Sequence, residues 1–78
     1  MSTINQAILF NAGISFDEVQ QAIQNNTLLK HKSGVKFQYI CDFKPQFSST
    51  VFAKLVNLKS GKVECFNANT YLKFFKVI

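Results

Sequence analysis

There is no arginine in this sequence, so all nine of its side-chain cations are lysines. Lysine is a flexible point charge, whereas arginine carries a planar fork for bidentate contacts. The absence therefore weighs against sequence reading of base edges, where arginine dominates. It is also what an AT-rich coding bias would write. One histidine and four carboxylates leave little for catalysis or for a metal, which needs about four ligands at suitable spacing. His31 with Cys41 or Cys65 is the only conceivable thiolate–imidazole pair. Both cysteines fall at positions whose parity suits a small buried thiol, so no enzyme activity and no cofactor are expected. The three glycines stand singly at turns, which excludes a glycine-rich phosphate cradle. Long apolar runs are missing too. Ala7 to Phe10 is too short for a signal core or a membrane span, and no basic segment precedes it. A cytoplasmic location with reduced thiols is expected, and with it no membrane partner. The one possible covalent staple, Cys41 with Cys65, is then not expected to form.

What the chain does have is apolar mass: 47% hydrophobic residues, nine of them phenylalanine, in 78 residues. That composition folds rather than stays disordered. Its length makes one domain, residues 1–78, with a helical hairpin at 1–26 and a β-barrel at 27–78. Thr3-Ile4-Asn5-Gln6 fits a capping box, Ile4, Ala7 and Ile8 share a face, and Gly13 can end that helix in the left-handed region. A second helix starts at once. Ser15 is its N-cap and Glu18 completes the box, while Ile14 and Val19 can form a hydrophobic staple. Asp17 and Glu18 suit the positive end of its dipole. Val19, Ala22 and Ile23 make its apolar face with Phe16 one turn earlier, and Asn25-Asn26 ends it. The two helices resemble a DNA-binding helix-turn-helix only superficially. Leu9 stands where that motif wants a small residue, and Asp17 and Glu18 would meet phosphates with like charge.

After Thr27 the apolar period changes to two. Val35, Phe37, Tyr39, Cys41 and Phe43 alternate with Lys36, Gln38, Ile40, Asp42 and Lys44, a half-buried strand with Ile40 off pattern. Leu28 to Lys32 is its hairpin partner across Ser33-Gly34. Lys44-Pro45-Gln46 breaks the run. Thr50 to Leu58 is apolar on both faces, as a central or bulged strand is. Ser60-Gly61 turns it into Lys62 to Phe66. Asn67-Ala68-Asn69 turns again, Asn69 can cap one helical turn at Thr70 to Lys73, and Phe74 to Ile78 is a last strand. The expectation is an α+β protein: an N-terminal helical hairpin packed on a small five-stranded antiparallel barrel.

Residues Leu29, His31, Lys32, Gly34 and Phe37 opening that sheet, Leu58 and Gly61 in its later hairpin, and Tyr71, Leu72 and Phe75 closing it carry a resemblance. Over residues 27–78 the chain resembles short uncharacterised bacterial and phage proteins built from a single SH3-like barrel. The resemblance implies a phage or mobile-element protein that binds and occludes a host protein complex, as small non-enzymatic inhibitors of CRISPR and other host-defence machinery do.

The residues themselves leave two kinds of partner open. Residues 27–78 hold all nine lysines against only Asp42 and Glu64. By parity Lys30, Lys32 and Lys36 point outward, and Lys59 and Lys62 flank the second Lys-Ser-Gly turn. Such a cluster can bind nucleic-acid phosphates by counterion release, or it can simply keep an apolar protein soluble. Ile40, alone and apolar on the polar side of its strand, is the expected anchor of a protein interface with a host protein or with a second copy of the chain. The predicted partner-binding set is thus Lys30, Lys32, Lys36, Ile40, Lys59 and Lys62.

Overall fold

The computed structural model describes residues 6–78. Its elements are helices α1 (Gln6–Asn11) and α2 (Phe16–Asn25), strands β1 (Leu28–His31), β2 (Lys36–Phe43), β3 (Phe52–Asn57) and β4 (Val63–Asn67), a 3₁₀ turn at Tyr71–Lys73, and strand β5 (Phe75–Val77). The expected cap at Thr3 to Gln6 lies largely outside the described residues. Gly13, at φ +81°, follows the end of α1. The box that opens α2 forms as expected. Ser15 Oγ accepts from the Glu18 N–H at 3.2 Å, and the Glu18 carboxylate accepts from the Ser15 N–H at 3.0 Å. Asn26, left-handed at φ 46°, ends the helix by donating its N–H to Ala22 O. Val19 and Ala22 are buried and Ile23 packs beside them, but Phe16 is exposed and faces Phe10 across the surface instead. As the first residue of the helix it sits outside the stripe that α2 turns toward the sheet.

The five strands form one antiparallel sheet in the order β4-β3-β2-β1-β5. This sheet is open, which corrects the closed barrel expected from the strand count: no ladder joins β4 to β5. It is nevertheless strongly curled. Phe66 on β4 and Phe75 on β5 bring their ring centroids within 5.0 Å at the two edges, and Phe37 of β2 stands against both. Sheets curl this far because strand twist accumulates.

Two cores result, one on each face. The inner, concave face carries Leu29, Phe37, Ala53, Leu55 and Phe75, with Val35, Tyr39, Phe66 and Tyr71 against them. On the outer face the helices cover the sheet: Leu9, Val19 and Ala22 pack on Ile40 and Val56, flanked by Cys41, Leu58 and Val63. These sheet residues come from β2, β3 and β4, so the helices cover that half of the face and no β1 or β5 residue joins the cluster.

The cover of α2 and a bulge together explain the largest departures from the alternation. Tyr39 pairs with Leu55 but Cys41 pairs with the next residue back, Lys54, so Ile40 is the extra residue on β2. The extra residue reverses which side of the sheet each later side chain faces. Gln38 and Ile40, expected in water, keep the outward parity of Lys36 but are both fully buried, because α2 covers that part of the outer face. Asp42, across from Ala53, joins the inner side, where its carboxylate accepts the Tyr39 hydroxyl at 2.8 Å. The Asn25 side chain donates to the Ile40 carbonyl at 3.3 Å, so the end of α2 holds the bulge.

Gln38 sits uneasily there. Its Nε2 donates to Ala22 O at 3.3 Å, but its buried Oε1 has no hydrogen-bond partner among the described residues. An unmet buried acceptor costs about 1–3 kcal/mol. Gln38→Leu is therefore expected to raise stability by about 1 kcal/mol, since Ala22 O keeps the Asn26 N–H. Urea denaturation checks this, and a lower midpoint would show that the amide is better satisfied than its surroundings suggest.

The helix and sheet are also tied by charge. Lys54 on β3 pairs with Glu18 on α2, the one ion pair among the described residues. The hydrogen bond from Lys54, and after it the Ser15 N–H, holds the Glu18 carboxyl below its usual 4.5. A carboxylate with a lowered pKa in the folded state stabilises fully above the unfolded-state value and loses that contribution as pH falls through the folded-state value. The unfolding midpoint should accordingly drop as pH descends below about 4.5. In Lys54→Met the drop should be shallower. An identical acid slope in the two proteins would remove the pair from the stability of the fold.

Candidate functional site

The two Lys-Ser-Gly turns are built alike. In the first, the His31 N–H donates to Val35 O and the Gly34 N–H to His31 O. In the second, the Asn57 N–H donates to Lys62 O and the Gly61 N–H to Asn57 O, while Asn57 Oδ1 accepts from the N–H groups of Lys59 and Ser60. Gly34 and Gly61 stand at φ +95° and +74°, a region side-chain-bearing residues rarely adopt. The topology puts both turns at the same end of the sheet. The Leu58 N–H donates to Lys36 O at 3.0 Å, and a cleft of about 420 Å³ between the turns is lined by Ser33, Gly34, Val35, Lys36, Leu58 and Lys59.

A second, larger groove of about 470 Å³ lies on the half of the outer face that the helices leave bare. Lys30, Lys32, Lys73 and Lys76 line it with Leu72, Phe74 and Ile78. Lys32 Nζ stands 5.1 Å from the centre of the Phe74 ring, within cation–π reach. The Lys32 N–H also donates to Phe74 O at 3.0 Å, which fixes the crossing from the 3₁₀ turn into β5. Phe74 is 49% exposed, and Leu72, Val77 and Ile78 are more so. Neither the groove nor the cleft has an Asp or Glu among its lining residues.

Register makes this face more basic than its composition requires. Lys30 is the cross-strand partner of Lys36 on β2 and of Lys76 on β5. Three lysines thus stand in one row across three strands, on one face. Strands lie about 4.8 Å apart, and like charges directly opposite one another destabilise a sheet. The sheet's two carboxylates lie on the other face, opposite Ala53 and Leu55. Each is engaged there, Asp42 with the Tyr39 hydroxyl and Glu64 with Asn57 Nδ2 at 3.0 Å. Alternation has sorted the strand charges by face, acids inside and uncompensated lysines outside.

Of the predicted partner-binding residues, Lys30, Lys32, Lys36, Lys59 and Lys62 are all exposed. Lys30 and Lys32 line the groove and Lys36 and Lys59 the cleft, while Lys62 lies in the second turn outside both. Ile40 is a correction. It lies in the core under α2, where no partner reaches it, because the helix covers the outer face that Ile40 shares with Lys36 and Gln38. The exposed apolar residues of this face are Leu72, Phe74 and Ile78, which like Lys76 stand outside the predicted partner-binding set; Val77, opposite Leu29, belongs to the inner side. Their signal was faint: in a strand of three residues alternation has no room to show.

The remaining chemistry-bearing side chains do not converge. His31 Nδ1 is engaged by Ser33, through its N–H at 3.1 Å and its hydroxyl at 2.9 Å. Cys41 and Cys65 are both paired with Lys54, one from each neighbouring strand. Two strand spacings, about 10 Å, separate them, beyond the reach of a disulfide. Burial pushes the Cys41 thiol up, away from the reactive thiolate. Cys65, expected inside, is exposed because it lies on the edge strand, at the margin of the helical cover. No group of three His, Cys, Asp or Glu capable of holding a metal occurs among the described residues, and no helix among them is long and apolar enough to cross a membrane. At the far end of the sheet Phe47, 99% exposed at φ 67°, projects from the β2–β3 loop away from both turns.

Comparison with protein-family models, with characterised proteins and with solved structures returns no match to this chain.

Proposed function

We propose that this protein is a small non-enzymatic binding module, encoded by a phage or mobile element, that acts by docking on and occluding a host complex. The observation that carries this reading is the bare half of the outer face. A protein of this size uses two helices to bury one half of its sheet. It leaves the other half in water with Leu72, Phe74 and Ile78 beside a set of lysines. Exposed apolar surface rimmed by charge marks an interaction site more often than a solvated one. The dispersal of His31, Cys41 and Cys65 supports a role without catalysis.

The curled sheet is further read as an open variant of the SH3-like barrel, braced by the α1–α2 pair as a helical hairpin. Support comes from the strand order, the 3₁₀ turn before β5 and the ring contacts that bring β4 to β5.

The test is retrieval from lysate of a bacterial host by the tagged protein, beside a variant with Lys32, Lys36, Lys59 and Lys73 all changed to Gln. One discrete host complex should be retained by the parent protein and lost by the variant, with that complex losing its activity when the purified protein is added. Equal retrieval by both proteins, or a bound complex that works at full rate, would end the occlusion reading.

A further inference from the structure

We infer that the bare outer face binds the sugar-phosphate backbone of single-stranded nucleic acid, with the row Lys36–Lys30–Lys76 on the phosphates and Phe74 as a platform for one base. The inference rests on the binding-module reading above and names the chemistry its face recognises.

Three observations favour a nucleic-acid strand over an acidic protein. First, the lysine row runs across this face from β2 through β1 to β5, and Lys30 is opposed by like charge on both sides. Protein interfaces are depleted in lysine at their centres, because each ammonium must be desolvated against a matched partner. A phosphate backbone needs no such match: it exchanges condensed counterions for the lysines, whose flexible stems follow it. Second, no Asp or Glu side chain lines either the groove or the cleft. Third, the groove offers one half-exposed aromatic ring with an ammonium beside it, Phe74 under Lys32. A base stacking on that ring must leave its own neighbours, which selects single strands over duplex. The lack of arginine fits backbone contact without reading of base edges.

Fluorescence anisotropy of the intact protein with fluorescein-labelled oligothymidylate tests this, with a duplex of equal length and labelled polyglutamate as comparisons. Affinity for the single strand should fall with salt at a log–log slope of about −3, as expected when four or five phosphates are neutralised. Changing Lys30, Lys36 and Lys76 together to Gln should lower affinity at least about tenfold and bring the slope near −1. Phe74→Ala should lower it about 5- to 100-fold and leave the slope unchanged, a split that a merely structural role would not produce. Thermal melts guard against misfolding, and Lys30→Gln should melt no lower than the parent because it relieves repulsion on two sides. Binding of polyglutamate without oligothymidylate would overturn the nucleic-acid assignment and leave the binding module standing. Unchanged binding by the triple variant would overturn the site. Equal affinity for duplex, indifferent to Phe74→Ala, would overturn the stacking role. Failure of both polyanions to bind would overturn this inference alone, since the host-complex retrieval judges the broader reading independently.

Discussion

Ile40→Lys is expected to unfold the protein. Ile40 is fully buried among Leu9, Val19, Ala22 and Val56, and it is the bulge residue that α2 clasps through Asn25. Removing a buried isoleucine of this kind costs about 2–5 kcal/mol. The ammonium that replaces it would be buried without a partner, at a further several kcal/mol. A domain this small has about 4–12 kcal/mol of stability in all. The sum is of the same size as that total, so far-ultraviolet circular dichroism should show no cooperative transition of the parent's kind above room temperature. Were Ile40 the exposed anchor that strand alternation suggests, the same change would leave the melt untouched and weaken only binding. One melting curve separates the two, and a parent-like transition would mean that α2 does not cover Ile40.

Phe37→Ala should cost about 3–5 kcal/mol, the usual range for a buried phenylalanine. Phe37 is the hub of the inner face. Its ring meets Phe66 at 6.0 Å and Phe75 at 5.1 Å, both edge-to-face, and it lies 6.4 Å from His31. Those rings are what draw the two edge strands together, because no hydrogen-bonded ladder does. The loss should therefore be uneven. Hydrogen exchange at β5, held by three pairs to β1 alone, should accelerate more than exchange at β3, which is paired on both sides. Loss of the same magnitude with uniform exchange would show that the edges are held by something other than the aromatic cluster.

These two changes also mark how far the sequence could be followed. Phe37 was legible: strand alternation put it inside, and it is there. Ile40 was not, because alternation gives its side of the sheet but not that α2 covers that side, and the bulge beside it is a property of pairing rather than of the strand. Nothing local in Gln38 to Asp42 announces that Cys41 will pair one residue short on β3. The lysines divide in the same way. Their exposure follows from parity and from the turns, but that Lys36, Lys30 and Lys76 share one row depends on how three strands align. Lys76 is 46 positions from Lys30 along the chain, and no local pattern relates them.

By itself the sequence determined whatever is settled within a few residues. The capping box at Ser15 and Glu18, the left-handed ends at Gly13 and Asn26, the Ser-Gly turns, the change of period at Thr27 and the order of the strands all depend on backbone preferences and hydrogen bonds of short reach. Only the tertiary structure decided which half of the sheet the helices cover, that the sheet stays open, that Gln38 and Ile40 go in while Cys65 comes out, and that the acids and the lysines part to opposite faces. Those outcomes depend on where the helices dock, on strand register and, from Cys41 onward, on one inserted residue, since a shift of one position reverses every side chain beyond it.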